Sequence, residues 1–138
     1  CKWVIDRKQT AGLFVNGSDP TNPEGKVQYL PPRKGQASLI HILEVLARVE
    51  RGEQPPLAEA VRQQRLHLAW GTTVLVITGQ PDKSLMEELY QARRSGLNVV
   101  LILAGLVPHI DTIKHHASFY GIPVTAITRE GDMDIWRR

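Results

Sequence analysis

The chain has 138 residues, 42% hydrophobic and 22% charged, the range of a single globular domain that can bury most of its apolar surface. Lys and Arg number 17 against 14 Asp and Glu, a formal charge of +3 with the basic residues scattered, which speaks against a nucleic-acid surface. A lone cysteine, Cys1, excludes an intrachain disulfide, and the longest apolar run, residues 99–104, is too short to span a bilayer.

In chain order, CKWVIDRK reads as a helix or helix end that the chain enters at Cys1 without a signal peptide, so a fragment of a longer polypeptide is expected. AGLFVNG, residues 11–17, is a short apolar run, and KVQYL, residues 26–30, alternates apolar and polar side chains. GSDPTNPEG between them is rich in turn residues. These segments predict a hairpin with a long loop, hence one antiparallel strand at a sheet edge.

PPRKGQ is expected to break that strand. Residues 38–51 then carry Leu39, Ile42, Leu43, Leu46 and Val49 at helical spacing up to Gly52. Pro55 and Pro56 restart the chain into a second helix over 57–69, with Leu57, Ala60, Val61, Gln64 and Leu68 on one side. Residues 72–78, GTTVLVIT after its glycine, are apolar and β-branched, the pattern of a strand covered on both faces of a parallel sheet.

Asp82 or Ser84 is expected to cap a helix running to about Ser95, with Ser84 and Glu87 at capping-box spacing and Gly96 as a left-handed stop. Residues 98–104 predict a second doubly buried strand, 111–120 a shorter helix stopped by Gly121, and 123–128 a last strand. The tail REGDMDIWRR has no clear period, with Ile135 and Trp136 expected to pin it to the body. Alternating strands and helices predict a three-layer, mainly parallel α/β sheet with helices on both faces, in one domain spanning 1–138.

In such a sheet a site lies at the carboxyl ends of the strands. Here those loops are residues 16–19, 33–38, 78–82 and 105–111. Gly35 and Gly79 could admit a ligand to the backbone, but each is explained as simply by a tight turn, and neither GxGxxG nor GxxxxGK[ST] occurs. His41, His67, His109, His115 and His116 show no metal-ligand spacing; adjacent His115 and His116 point about 100 degrees apart on a helix. There is no GxSxG, Cys1 at the chain end has no framework to activate it, and Asp132 with Asp134 and Glu87 with Glu88 read as solvated charge.

The segments YLPPRKGQASLIHILEVLARVERGEQPPLAEAV and WGTTVLVITGQPDKSLMEELYQARRSGLNVVLILAG resemble a bacterial family, domain of unknown function fifty-eight, over about residues 12–132. Its members carry a von Willebrand factor A-like, Rossmann-like domain and are often encoded beside MoxR-type AAA+ ATPases. The resemblance implies a DxSxS segment on a first central strand, a Thr from a later loop and an Asp after the fourth strand, together holding Mg²⁺. In this chain DxSxS is absent, the Thr loop reads Arg33, Lys34, Gly35, Gln36, Ala37, Ser38, and the Asp position reads Gly79. Magnesium requires near-octahedral oxygen ligation, so no metal and no other cofactor is expected. Asp82 is explained by helix capping.

The resemblance further implies that the missing first strand lies between the 11–17 and 72–78 strands. The fragment is then expected to open a gap, to bring those two strands together, or to borrow a strand from a second copy as a homo-oligomer. The functional expectation is a non-enzymatic protein-interaction module that meets its partner through Arg33, Lys34, Gly35, Gln36, Ser38, Thr78, Gly79 and Asp82. The partner implied is a MoxR-type ATPase at the cytoplasmic side of the inner membrane, to which the parent protein is tethered. The alternative is a small-ligand or phosphate-binding α/β enzyme, with Gly35, Gly79 and Gly105 shaping a pocket and Arg33 or Lys34 holding an anion.

Overall fold

Asn98–Ala104, the most apolar strand of the chain, lies in the middle of its sheet because both of its faces can be buried there without a polar group left over. The computed structural model describes residues 2–21, 28–52 and 55–136. Their elements are α1 (Lys2–Asp6), β1 (Ala11–Val15), β2 (Gln28–Arg33), α2 (Gln36–Arg48), α3 (Leu57–Arg65), β3 (Thr73–Thr78), α4 (Lys83–Arg94), β4 (Asn98–Ala104), α5 (Ile110–Phe119) and β5 (Val124–Ile127). A 3-10 turn, Glu130–Trp136, follows. The chain divides into two compact units, 1–56 and 57–138.

In the first unit β1 and β2 form an antiparallel pair with a register shift between Ala11 and Leu13. Gly12 sits at that irregularity, where a Cβ would lie 2.8 Å from the Leu30 carbonyl oxygen, so a side chain would force the strands apart. The expected break at Pro31 and Pro32 does not occur: β2 continues through both to Arg33, opposite Ala11. A two-stranded sheet is all edge, and proline is tolerated where its missing N–H would face outward.

Helix α2 buries Ile42 and Val45, whereas Leu43 and Leu46, expected on the inner stripe, are exposed. His41, Glu44 and Arg48 gather on one stripe and leave an apolar arc wider than the buried part, so spacing alone does not determine which part of it turns inward. Behind it, Ser18 pairs with Glu50, and the carboxylate of Asp19 accepts hydrogen bonds from Thr21 N (2.8 Å), Thr21 Oγ1 (2.6 Å) and Arg48 Nε (3.3 Å). The hairpin loop expected over residues 17–25 lies partly outside the described residues.

These hydrogen bonds, foremost that from the Thr21 hydroxyl, hold the Asp19 carboxyl below the usual aspartate range. A carboxyl whose folded pKa is depressed adds stability above its unfolded value, and that stability is lost as pH falls through the folded value. Asp132 behaves likewise in the second unit, accepting from Thr128 N (2.8 Å), Thr128 Oγ1 (2.9 Å) and Arg129 N (3.0 Å). Unfolding midpoints measured against pH are therefore expected to drop below about pH 4. Asp19→Asn and Asp132→Asn should each flatten that acid limb; limbs indistinguishable from the unmodified chain would show that neither carboxylate contributes.

In the second unit β3, β4 and β5 form a parallel sheet in that order, with Leu101 of β4 between Val76 of β3 and Val124 of β5. Because the strands follow one another in sequence without a reversal, right-handed crossovers lay α4 and α5 on the same face. One core results, with Leu85, Leu89 and Ala92 of α4, Ala117 of α5 and Ala58 of α3 packed with Val76, Val99, Leu101 and Leu103. The Arg65–Glu88 ion pair (3.3 Å) ties α3 to α4. The other face of β3 carries Leu75 and Ile77, both exposed, so the expectation of a strand covered on both faces is not met for β3.

Boundaries differ from the sequence reading at a few points. α3 stops at Arg65 rather than residue 69 and the tail winds into the 3-10 turn, while of the two caps expected for α4 it is Asp82 that serves. Gly96 does take the left-handed conformation, φ 93°. The side chains of Ile135 and Trp136, expected to pin the tail, lie outside the described residues. Among the described residues β1 pairs only with β2 and β3 only with β4.

Candidate functional site

The residues proposed from the sequence fall into two groups, one in each unit. In the first unit Arg33 ends β2, and Lys34 and Gly35 lead into α2, whose first residue is Gln36. Arg33, Lys34, Gly35 and Gln36 are exposed and Ser38 is half-buried. Gly35 takes φ 94° and ψ 164°, outside the range open to other residues, and caps α2 without a side-chain hydrogen bond. A Cβ at Gly35 would meet nothing within 4 Å, so this glycine serves the backbone turn rather than a close approach. The loop thus presents two cationic side chains beside the positive end of a 13-residue helix.

In the second unit Thr78 ends β3 and its Oγ1 accepts a hydrogen bond from Gln80 N at 3.1 Å, closing the turn that leads to α4. Gly79 is glycine for a reason visible only across the sheet: a Cβ there would lie 2.9 Å from the Ala104 carbonyl oxygen at the end of β4. Asp82 Oδ1 accepts from Leu85 N at 2.7 Å and caps α4, the structural role its position suggested.

These groups do not fit the magnesium ion that the family resemblance implies. In the second unit the position expected to supply a carboxylate is Gly79, the Thr78 hydroxyl already closes a turn, and one oxygen of Asp82 is taken up by the helix cap. A near-octahedral site needs several oxygens converging at about 2.0–2.1 Å. Among the described residues no group of three or more His, Cys, Asp or Glu could hold a metal ion.

The strand ends of the second unit carry a shallow, open cavity of about 410 Å³ lined by Gly105, Leu106, Val107, Pro108, Ile110 and Thr128. Its one polar side chain is a hydroxyl. Gly105, considered as part of an anion pocket, adopts φ 88° with nothing near a Cβ and serves the turn after β4. His109, also in the left-handed region at φ 56°, precedes α5 without a side-chain cap.

A groove of about 400 Å³ between α4 and α5 escaped the sequence reading. Met86, Tyr90, Ile113 and Tyr120 are among its walls, and Asp82, Lys83, Glu87 and His116 stand around it. The Tyr90 and Tyr120 rings stack with centroids 3.7 Å apart, and burial pushes the Tyr90 phenol above its usual pKa. Two tyrosines on separate segments give no periodic signal that would have announced the pair.

Fold and rim together define an α/β protein built on a parallel three-stranded sheet, accompanied by a small antiparallel pair. No protein-family model matches the chain, and no curated protein matches it at a significant level. No helix among the described residues is long and apolar enough to cross a membrane.

Proposed function

We propose that the chain is a non-enzymatic protein-interaction module that recognises its partner through the strand-end loops. The observation that carries this reading is the lining of the strand-end cavity: five apolar or glycine residues and one threonine, whose hydroxyl donates to Asp132, with no carboxylate, imidazole, amine or thiol among them. Leu106 at its mouth is 93% exposed, an apolar side chain available for contact rather than for chemistry. The loop of Arg33 and Lys34 adds charge that would steer and orient an acidic partner surface.

The sequence resemblance supports a more specific form of the proposal. It makes the chain part of a von Willebrand A-like domain with a degenerate metal site, working with a MoxR-type AAA+ ATPase on the cytoplasmic side of the inner membrane. In this form Arg33, Lys34, Gly35, Gln36 and Ser38 contribute one part of the contact and Thr78, Gly79 and Asp82 another.

Capture of that ATPase by immobilised chain tests the proposal. Arg33→Glu with Lys34→Glu is expected to lower capture, and the difference from the unmodified chain should shrink as salt is raised, because exposed charges are screened over about 8–10 Å at physiological ionic strength. Equal capture by both chains at low salt would remove this loop from the contact surface.

A further inference from the structure

Strand β3 is the outermost strand of its sheet, with β4 on one side and, among the described residues, no strand on the other. The backbone geometry identifies which groups face that open side. Asn98 N donates to the Thr72 carbonyl at 2.9 Å, so Thr72 turns its polar groups toward β4. Alternation along a parallel strand then turns Val74 and Val76 toward β4, and leaves the N–H and C=O groups of Thr73, Leu75 and Ile77 facing outward.

Edge strands in natural proteins are normally blunted by charge, proline or a bulge. The residues of β3, TVLVIT, contain no charge and no proline, and they pair with β4 in unbroken register. Leu75 and Ile77 are moreover 51% and 60% exposed, on the face away from the helices. An apolar, hydrogen-bonding edge of this kind is a template for another strand.

We propose that two copies of this chain associate along β3, antiparallel, with Leu75 of one copy opposite Ile77 of the other. A twofold axis normal to the sheet keeps the helices of both copies on one face, so outward-facing residues must meet outward-facing residues. Centring the axis on Val76 satisfies this and joins both exposed pairs of Leu75 and Ile77 into one apolar patch. The uncharged strand brings no like charges into opposition when it meets itself. Six residues a side bury less than the roughly 1,200 Å² of a stable interface, so the dimer is weak and depends on concentration. This surface is separate from the strand-end loops, and the inference does not rest on their role.

Sedimentation velocity of the full chain over a wide concentration range tests it, together with amide exchange. The unmodified chain is expected to shift from monomer to dimer as concentration rises, while the amides of Thr73, Leu75 and Ile77 slow in the concentrated sample. Leu75→Lys and Ile77→Lys alter exposed positions, so each should keep its unfolding midpoint yet lose the dimer over the same range. A chain that stays monomeric at the highest concentration overturns the proposal. So does a dimer that persists in both lysine variants, or association that leaves those three amides as fast as in the dilute sample.

Discussion

Leu101→Ala is expected to lower the unfolding free energy of the second unit by about 3–5 kcal/mol, a large part of the 5–15 kcal/mol typical of a domain. Leu101 is fully buried on the central strand, flanked by Val76 and Val124, beneath the helices α4 and α5. The truncation removes its apolar contacts and leaves a cavity that two neighbouring strands and two crossover helices cannot easily close. Denaturant titration should show a lower midpoint at unchanged slope. Leu106→Ala, at an exposed position, supplies the comparison and should stay within about 0.5 kcal/mol. A loss below about 1 kcal/mol for Leu101→Ala would mean that this core is not the one that holds the unit together.

Gly96→Val is expected to destabilise the second unit by about 2 kcal/mol, for two separable reasons. At φ 93° the backbone favours glycine, and holding a residue with a Cβ in left-handed conformation costs about 1–2 kcal/mol, more for a β-branched one. A side chain would also run into the Trp70 indole, which lies against Gly96 although it is 85% exposed to solvent. Gly96→Asn keeps the left-handed tolerance and isolates the second effect. Tryptophan fluorescence should change in both variants and should not change when Gly96→Asn is made in a Trp70→Ala background. Unfolding midpoints equal to that of the unmodified chain would show that neither the dihedral angle nor the indole contact matters.

The parts of the fold legible in the sequence are those where one physical demand dominates. β4 was readable over its whole length because seven successive residues suit a central strand, and the stop at Gly96 because few residues tolerate its backbone. The passage of β2 through Pro31 and Pro32 was not, since proline forbids a central strand but permits an edge, and edge status is a property of the sheet. The inward part of α2 was not legible because its apolar arc, from Ile42 and Val45 round to Leu46, Leu43 and Ile40, is much wider than the part that is buried. β3 has the composition of an interior strand and occupies an edge, a difference that no local pattern reveals.

At the strand ends the same division holds. The capping role of Asp82 follows from a carboxylate three residues before the amide it accepts from, a local relation. The need for glycine at position 79 comes from a carbonyl on the neighbouring strand, a relation between residues far apart in sequence. The apolar lining of the strand-end cavity likewise depends on how the 105–110 loop folds over Thr128.

Calorimetric titration of the chain with Mg²⁺ and Mn²⁺ tests most directly whether the strand-end loops recognise a partner without a resident ion. With glycine at the carboxylate position, the Thr78 hydroxyl closing a turn and one Asp82 oxygen in the helix cap, no micromolar heat of binding is expected. A saturable site of micromolar affinity, abolished by Asp82→Ala, would contradict that account and return metal chemistry to the rim.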